Sequence, residues 1–202
     1  MIVGLEGVSC TGKSTLARAL AARLGDTTVV PCYYHAAPDP SALPSPKVSS
    51  EADQLDALII HLQIEQTRLL MVREALRHSG RVVLDRTVDT LLAHVRAVGE
   101  MNALDANACA RALVTRQIGQ GLAAVPDVTL LLRADHEVLV ARARGRPGLP
   151  PLYYNAEFTQ GFHAHFQDPV TPACLDVDAG LPAGQVLDQA CRLLGPYLDR
   201  RK

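Results

Sequence analysis

The sequence Gly7-Val8-Ser9-Cys10-Thr11-Gly12-Lys13-Ser14 fits the phosphate-loop pattern GxxxxGK[ST] at every fixed position. The apolar residues Ile2, Val3 and Leu5 precede it and predict a buried strand. The apolar pattern of residues 15–20 predicts a helix after it. Strand, loop and helix in this order are the context that the motif requires. We therefore interpret residues 7–14 as a phosphate-binding loop.

The residue types of this loop explain how it would bind phosphate. Gly7 and Gly12 allow the backbone to curl, so that successive N–H groups point into one concavity. The helix that starts near Lys13 adds the positive end of its dipole. Lys13 is expected to contact the β- and γ-phosphates, and the Ser14 hydroxyl can ligate Mg²⁺. The predicted nucleotide-binding residues of this stretch are Gly7, Ser9, Cys10, Thr11, Gly12, Lys13, Ser14 and Thr15.

Composition is typical of a compact enzyme. The chain has 202 residues, of which 48% are hydrophobic, and this predicts one α/β domain over residues 1–202. The net charge of −1 indicates neither a nucleic-acid partner nor an anionic membrane surface. The five cysteines are scattered without a C-x-x-C pair, so we expect reduced thiols in a cytoplasmic protein. We also expect no targeting or membrane-spanning segment.

A proline-rich segment follows the second predicted strand, Thr27 to Pro31. Five prolines fall between residues 31 and 46, which predicts an irregular loop over about residues 31–50. Tyr33 and Tyr34 open this loop. They either line a pocket for the phosphoryl acceptor or pack the loop against the body of the protein.

A long helix is predicted after Ser50, which is a plausible N-cap. One apolar stripe is expected to run along it until Gly80, formed by Leu55, Leu58, Leu62, Leu69 and Leu76. His61, Gln66 and Arg68 lie near this stripe. Polar groups near a buried face must be paired or face a cavity, so these side chains either line the acceptor site or emerge at the ends of the helix.

Asp85 and Arg86 follow the apolar residues Val82 to Leu84. This apolar run after Gly80 predicts a buried parallel strand, with Asp85 and Arg86 at its carboxyl end. Ligands of open α/β sheets bind at the carboxyl ends of the strands. An acid there can hold Mg²⁺ or accept a proton from a hydroxyl, and an arginine can bind a phosphate group. An exposed ion pair at the end of the strand is the alternative interpretation.

The second half of the chain continues to alternate helices and strands. Helices are predicted over about 88–98 and 105–122 with Gly99 between them, then a strand at Val128–Leu132. A helix capped by Asp135 carries Arg142, Arg144 and Arg146 into a Pro/Gly segment. This pattern predicts a lid over about residues 142–152, or a solvated basic helix end.

The last elements complete the predicted sheet. A helix is expected from Tyr153 to Phe166, in which the two-residue spacing of His163 and His165 argues against a metal pair. A strand at 173–178 and a helix at 186–198 close the chain. The predicted fold is a three-layer α/β/α sandwich with a five-stranded parallel sheet.

These residues together resemble the thymidylate kinase and deoxynucleoside kinase group of P-loop kinases. The likeness is carried by Leu5-Glu6-Gly7, Gly12-Lys13-Ser14-Thr15, Asp85-Arg86 and the arginine-bearing lid. It implies a P-loop NTPase fold, ATP and Mg²⁺ as cofactors, a small-molecule phosphoryl acceptor, and a homodimer packed through long helices.

The resemblance also implies roles for single residues. Lys13, Arg142 and Arg146 would bind donor phosphates, and Arg86 would position the 5′ end of the acceptor. Asp85 would act as metal-water ligand or base. A further implied contact is that of adenine with the Asp178–Leu181 turn, which includes Gly180, and Glu6 matches an acid that the family often carries before the loop. Together with the residues noted above, the candidate substrate residues are Glu6, Tyr33, Tyr34, His61, Gln66, Arg68 and Arg86.

Three departures from the family pattern keep the acceptor open. The loop has no acidic residue, Thr87 follows Asp85-Arg86, and the base-reading glutamine of deoxynucleoside kinases corresponds to one of His61, Gln63 or Gln66. The acceptor is a nucleoside monophosphate, a nucleoside, or a non-nucleotide small molecule such as a metabolite or an antibiotic. A nucleotide-dependent switch or ATPase is disfavoured, because the chain has neither Asn-Lys-x-Asp nor the Asp-x-x-Gly spacing.

Overall fold

A parallel sheet forms the centre of the computed structural model, which describes residues 1–45, 47–172 and 174–198. All four strand pairings are parallel, and the strand order is β2-β3-β1-β4-β5. The predicted five-stranded parallel sheet is thereby confirmed. The strands are β1 (Ile2–Glu6), β2 (Thr27–Val30), β3 (Arg81–Asp85), β4 (Val128–Arg133) and β5 (Cys174–Asp178).

Helices connect the strands in the right order for parallel crossovers. They are α1 (Lys13–Leu24), α2 (Tyr33–Ala36), α3 (Glu51–His78), α4 (Asp89–Asn102), α5 (Asn107–Gly119), α6 (His136–Ala143), α7 (Ala156–His165) and α8 (Ala183–Leu198). Two 3₁₀ turns, at Pro40–Ala42 and Pro151–Tyr154, lie in the connections. In the described part of the chain, no helix is long and apolar enough to cross a membrane.

The helices cover both faces of the sheet, as the continuous apolar strands predict. On one face, Leu16 and Leu20 of α1 pack with Ala190 and Leu194 of α8. On the other face, α3 packs on β2 and β3, while α4 and α7 pack near β4. Residues such as Leu5 are fully buried because helices lie above and below them. This arrangement leaves the carboxyl edge of the strands for the site.

The predicted irregular loop at 31–50 contains local helix. Helix α2 and the Pro40–Ala42 turn lie within it, so the prolines exclude long elements but tolerate short ones. Proline fits the first turn of a helix, where its missing N–H is not needed. Pro46 and Ala173, the latter predicted to start β5, lie outside the described residues.

The prediction that Gly99 separates two helices is wrong, because α4 continues through it to Asn102. A Cβ at position 99 would lie 2.7 Å from the carbonyl oxygen of Leu104. This glycine therefore permits the chain that follows the helix to pack closely against it. The last residue of helix α4 is Asn102, and the C-cap residue Ala103 follows in a left-handed conformation with a φ of 54°.

The apolar stripe predicted on α3 is correct at Leu58 and Leu62 but wrong at its far end, because Leu76 is exposed. The N-cap is Ser50, whose hydroxyl accepts a hydrogen bond from the Asp53 amide. Further along the helix, the charged residues Glu65 and Arg68 occupy the buried face. They can do so because they form an ion pair there.

Candidate active site

The loop between β1 and α1 forms the floor of the site. Gly7 has a φ of 135°, and a Cβ there would lie 2.5 Å from the Leu132 carbonyl oxygen, so only glycine fits. Gly12 precedes α1 in a left-handed conformation. Cys10 also has a positive φ, of 68°. The loop thus curls as the motif predicts, with helix α1 starting at Lys13.

Lys13 is buried at the centre of this loop. Its ammonium group donates hydrogen bonds to the carbonyl oxygens of Gly7, at 2.7 Å, and Val8, at 2.8 Å. Burial, and secondly the positive charge of Arg86, lower the pKa of Lys13 to about 7. A buried ammonium next to another cation favours an anion as its partner.

Asp85 lies at the end of β3 and faces α1. Its Oδ2 atom accepts a hydrogen bond of 2.5 Å from the Ser14 hydroxyl. Its Oδ1 atom is buried and has no hydrogen-bond partner in the described structure. The predicted metal-binding pair, Ser14 and Asp85, is therefore brought together, with one carboxylate oxygen left for a further ligand.

Arg86 follows in a left-handed backbone conformation, with a φ of 75°. Its guanidinium donates to the Thr90 hydroxyl at 3.0 Å and more weakly to the carbonyl oxygen of Gly7 at 3.4 Å. Arg86 therefore reaches from β3 to the phosphate loop. This is not the exposed ion pair that was the alternative interpretation of the Asp85-Arg86 sequence.

Glu6 does not take the place at the cavity that the resemblance implies. Its carboxylate is fully buried, and it accepts hydrogen bonds from the amides and hydroxyls of Thr87 and Thr90. Both oxygens are used in holding the turn between β3 and α4. Burial raises the pKa of this carboxyl, opposed in part by the charge of Arg86. The expected substrate contact of Glu6 is therefore corrected: Glu6 does not line the cavity, and it holds the turn that follows Asp85 and Arg86.

A cavity of about 890 Å³ opens above the loop. Such a volume is typical of a small-molecule site. The predicted site residues that line the cavity are Ser9, Cys10, Gly12, Lys13, Ser14, Thr15, Tyr33, Tyr34, His61, Asp85, Arg86 and Arg146. Gly7 and Thr11 shape the loop without lining the cavity; the Thr11 hydroxyl donates to the Val8 carbonyl.

The cavity is also lined by many apolar residues and by two polar residues that the sequence analysis missed. Gln54 is buried; its Nε2 donates to the Val95 carbonyl oxygen at 2.9 Å, while its Oε1 has no partner in the described structure. His94 packs edge-on against Phe158, and burial lowers its pKa to about 4, so it is neutral. Gln54 lies four residues before Leu58, so the apolar stripe continues through it, and that spacing was the available signal.

The other polar residues of α3 are distributed differently from the prediction. His61 lines the cavity, and its Nδ1 donates to the Ala57 carbonyl oxygen at 2.8 Å. Gln63 and Gln66 are exposed and lie away from the cavity. Arg68 is fully buried and does not reach the cavity either. The expected substrate contacts of Gln66 and Arg68 are corrected by these positions, which follow from how α3 packs.

The segment predicted as a lid contacts the phosphate loop and borders the cavity. Arg146 lines the cavity, whereas Arg142 donates a hydrogen bond of 3.3 Å to the Cys10 carbonyl oxygen. Arg144 is exposed and does not line the cavity. Helix α6 ends at Ala143, so Arg142 lies in its last turn, whereas Arg144 and Arg146 follow the helix.

The turn at Asp178 to Leu181 follows β5, and its Gly180 amide donates to the Asp178 carboxylate at 2.8 Å. Neither residue lines the cavity. His165, predicted not to pair with His163 on a metal, binds Asp89 instead at 2.7 Å. Among the described residues, no group of three His, Cys, Asp or Glu side chains could hold a metal ion.

Known proteins resemble the chain in sequence and in fold. No protein-family model matches it. A protein described as a probable thymidylate kinase of Archaeoglobus fulgidus is 23% identical over 206 residues, covering 100% of this chain and 98% of that protein.

Two structures of a deoxyadenosine kinase from M. mycoides share the fold. The structure with the products dCMP and a flexible dCDP has a TM-score of 0.70 at 15% identity, and covers 97% of this chain and 100% of that one. The structure with dATP has a TM-score of 0.67 at 15% identity, and covers 96% and 100%. In sequence the chain is thus similar to a probable thymidylate kinase, and in fold to structures of a deoxyadenosine kinase.

Proposed function

We propose that this protein is an ATP- and Mg²⁺-dependent kinase that transfers the γ-phosphoryl group of ATP to a nucleoside monophosphate or a nucleoside. The observation that carries the proposal is one cavity with two chemically different sets of lining residues. Lys13, Ser14, Asp85 and Arg86 form a charged and polar set, and Gln54 with apolar and aromatic side chains forms the other. The charged set suits a triphosphate, and the apolar set with few polar groups suits a base.

Mg²⁺ fits the residues at the loop. It prefers oxygen ligands and is held by one or two protein groups together with phosphates and water. The Ser14 hydroxyl and the unpartnered Oδ1 atom of Asp85 offer such oxygens. When bound, the ion would neutralise developing charge on the phosphates.

The donor phosphates would bind at the loop. Lys13 would exchange its bonds with its own loop carbonyls for bonds with β- and γ-oxygens, while the loop amides surround the β-phosphate. Arg146 from the lid would add positive charge and exclude water. Phosphoryl transfer needs little more than such positioning and charge stabilisation.

The acceptor would lie against Arg86 and the apolar side chains that line the cavity. Arg86 would hold its 5′ end in line with the γ-phosphate, and Asp85 would accept the proton if that end is a hydroxyl. The unpartnered Gln54 Oε1 needs a hydrogen-bond donor, which a nucleobase can supply. The ring of Phe158 offers an apolar surface for it.

The test measures ADP release from Mg·ATP with a panel of nucleosides, nucleoside monophosphates, sugars and aminoglycosides. We expect one base class to stimulate turnover strongly and Lys13→Ala to lose it. Stimulation by a sugar or aminoglycoside alone would favour the non-nucleotide kinase. ADP release that no acceptor changes would favour the ATPase or switch.

A matched pair of variants tests the orientation of the acceptor. Gln54→Leu removes the buried acceptor oxygen, so we expect the acceptor KM to rise about 10- to 100-fold with little change in the ATP KM. Gln63→Leu lies on the same helix in an exposed position and serves as the control. Equal effects of both variants would remove Gln54 from the binding site.

A homodimer through α3 remains part of the proposal. This helix is 28 residues long and exposes several large apolar side chains. They are Ile59, Ile60, Leu70, Met71 and Leu76. Exposed apolar side chains along one long helix are typical of a surface that a second copy covers.

A further inference from the structure

Arg68 is the largest fully buried side chain of the described structure, yet it does not line the cavity. It forms an ion pair with Glu65 at 2.6 Å. Glu65 is itself held by the Ala124 amide at 3.0 Å. A charged pair in a core needs such partners to be tolerated, but it rarely adds stability over apolar side chains of similar size. We therefore look for a role of the Arg68–Glu65 pair other than stabilising the fold.

The other hydrogen bonds of Arg68 go to backbone carbonyl oxygens at the ends of two strands. Nη2 donates to the carbonyl oxygens of Asp85, at 3.1 Å, and Arg86, at 2.6 Å. Nε donates to the carbonyl oxygen of Pro31 at 2.9 Å. The guanidinium carbon also lies 4.3 Å from the centre of the Tyr33 ring. One side chain thus connects α3, the acceptor-side segment and the Asp85-Arg86 turn.

The turn that Arg68 contacts is strained. Arg86 has a φ of 75°, which a residue with a Cβ adopts only where its surroundings impose it. The carbonyl side of the turn is held by the Arg68 guanidinium. The following amide, that of Thr87, donates to the Glu6 carboxylate at 2.7 Å. The buried Arg68 guanidinium on the carbonyls and the buried Glu6 carboxyl group on the amide together hold the left-handed conformation.

We propose that Arg68 is a positioning residue, which holds Arg86 in its left-handed conformation and so sets where the Arg86 guanidinium lies in the active site. This inference rests on the proposed kinase function only for its activity readout. Arg68 acts through Arg86, because its own donors are used on Glu65 and on backbone carbonyls. A planar guanidinium can bind these groups simultaneously, whereas a lysine ammonium cannot.

The test is a double-mutant cycle in kcat. Arg68→Lys keeps the charge beside Glu65 but loses the fork, and we expect kcat to fall by about a hundredfold, since a misplacement near 1 Å has that effect. We expect the ATP KM to change little. In the Arg86→Ala background, the same Arg68→Lys change should lower kcat by about twofold or less, because the group it positions is gone.

A matched control and a second variant separate positioning from folding. Arg73→Lys changes an exposed arginine of the same helix that donates to the Gly121 carbonyl oxygen, and we expect unchanged kcat. The double variant Glu65→Gln, Arg68→Met replaces the pair by uncharged side chains of similar size. It should fold, and its kcat should fall as in Arg68→Lys.

Multiplicative losses of Arg68→Lys and Arg86→Ala would overturn the proposal. Absence of any acceptor-dependent turnover in the unchanged protein would count against the kinase function instead. In that event a crystal structure of Arg68→Lys decides: a changed φ at Arg86 supports the positioning role, and a φ that stays near 75° overturns it.

Discussion

Lys13 carries a positive charge in a place where its own loop offers only carbonyl and hydroxyl oxygens. Its solvation is poor, and burial is the main reason why its pKa is lowered to about 7. A bound triphosphate would supply negative charge and favour the protonated form. Protonation of this lysine and binding of the nucleotide are therefore expected to be coupled.

This coupling predicts the pH dependence of ATP binding. Above about pH 7, free Lys13 loses its proton whereas bound Lys13 keeps it, so binding takes up a proton. We expect the ATP affinity to weaken by up to about tenfold per pH unit between pH 7.5 and 9, measured by calorimetry in buffers of different ionisation enthalpy.

The control for this experiment is Lys13→Arg, because arginine stays charged over the whole range. Its ATP affinity should depend less on pH than that of the unchanged protein. Equal pH dependence of the two proteins would show that Lys13 does not titrate.

The lowered pKa of Lys13 also affects folding stability. The folded protein loses the Lys13 proton near pH 7, whereas the unfolded chain keeps it up to about its ordinary pKa of 10.5. Since the unfolded chain binds more protons between these values, Lys13 makes the free energy of unfolding rise with pH over this range.

In the segment predicted as a lid, the three neighbouring arginines differ in their surroundings. Arg142 is tied to the loop through the Cys10 carbonyl oxygen, Arg146 lines the cavity, and Arg144 is exposed. Helix α6 ends before all but the first of them. Backbone direction after a helix end therefore decides which charge faces the site.

Arg146→Ala is expected to lower kcat about 10- to 100-fold, because it removes a cation next to the transferring group. Steady-state kinetics with the best acceptor measure this effect. Arg144→Ala removes an equal charge two residues away and should leave kcat within about twofold of the unchanged protein. Comparable losses in both variants would indicate that only the overall charge of the lid matters.

At the scale of the whole molecule, the long helix α3 joins two surfaces. Its inner face carries Gln54, His61 and Arg68 toward the cavity and the strand ends, and its outer face carries exposed apolar side chains. Self-association through the outer face would fix this helix. It would thereby stabilise the wall of the cavity in each of the two copies.

We therefore expect a dimer in light scattering coupled to size exclusion. Leu70, of which 63% is exposed, is the best position for a disrupting change. Leu70→Glu should give a monomer at micromolar concentration, because it introduces a charge into an apolar contact. The control is Gln185→Glu, which adds the same charge at an exposed position of α8. A control within α3 such as Leu55→Glu would disturb the core, because Leu55 packs against it. A monomeric unchanged protein would contradict the dimer.

The phosphate loop, the parallel sheet and the Asp85-Arg86 turn were accessible from the sequence. The loop motif is contiguous, so its conformation depends on local geometry and on glycines such as Gly7. The strands consist of continuous apolar runs, which signal burial on both faces. Asp85 lies at the carboxyl end of such a run, and the edge rule of open sheets gives its location without further information.

The tertiary structure alone decided which polar side chains of the helices meet the cavity. The face that α3 turns inward depends on packing over 28 residues, and a small error in helical phase moves a residue from core to solvent. For this reason Gln66 and Arg68 were assigned to the substrate and Gln54 was missed. Glu6, in β1, was placed beside the acceptor because its contacts with Thr87 and Thr90 join segments that are distant in sequence. Local sequence determines how the backbone folds, but only contacts between distant segments determine what each buried charge binds.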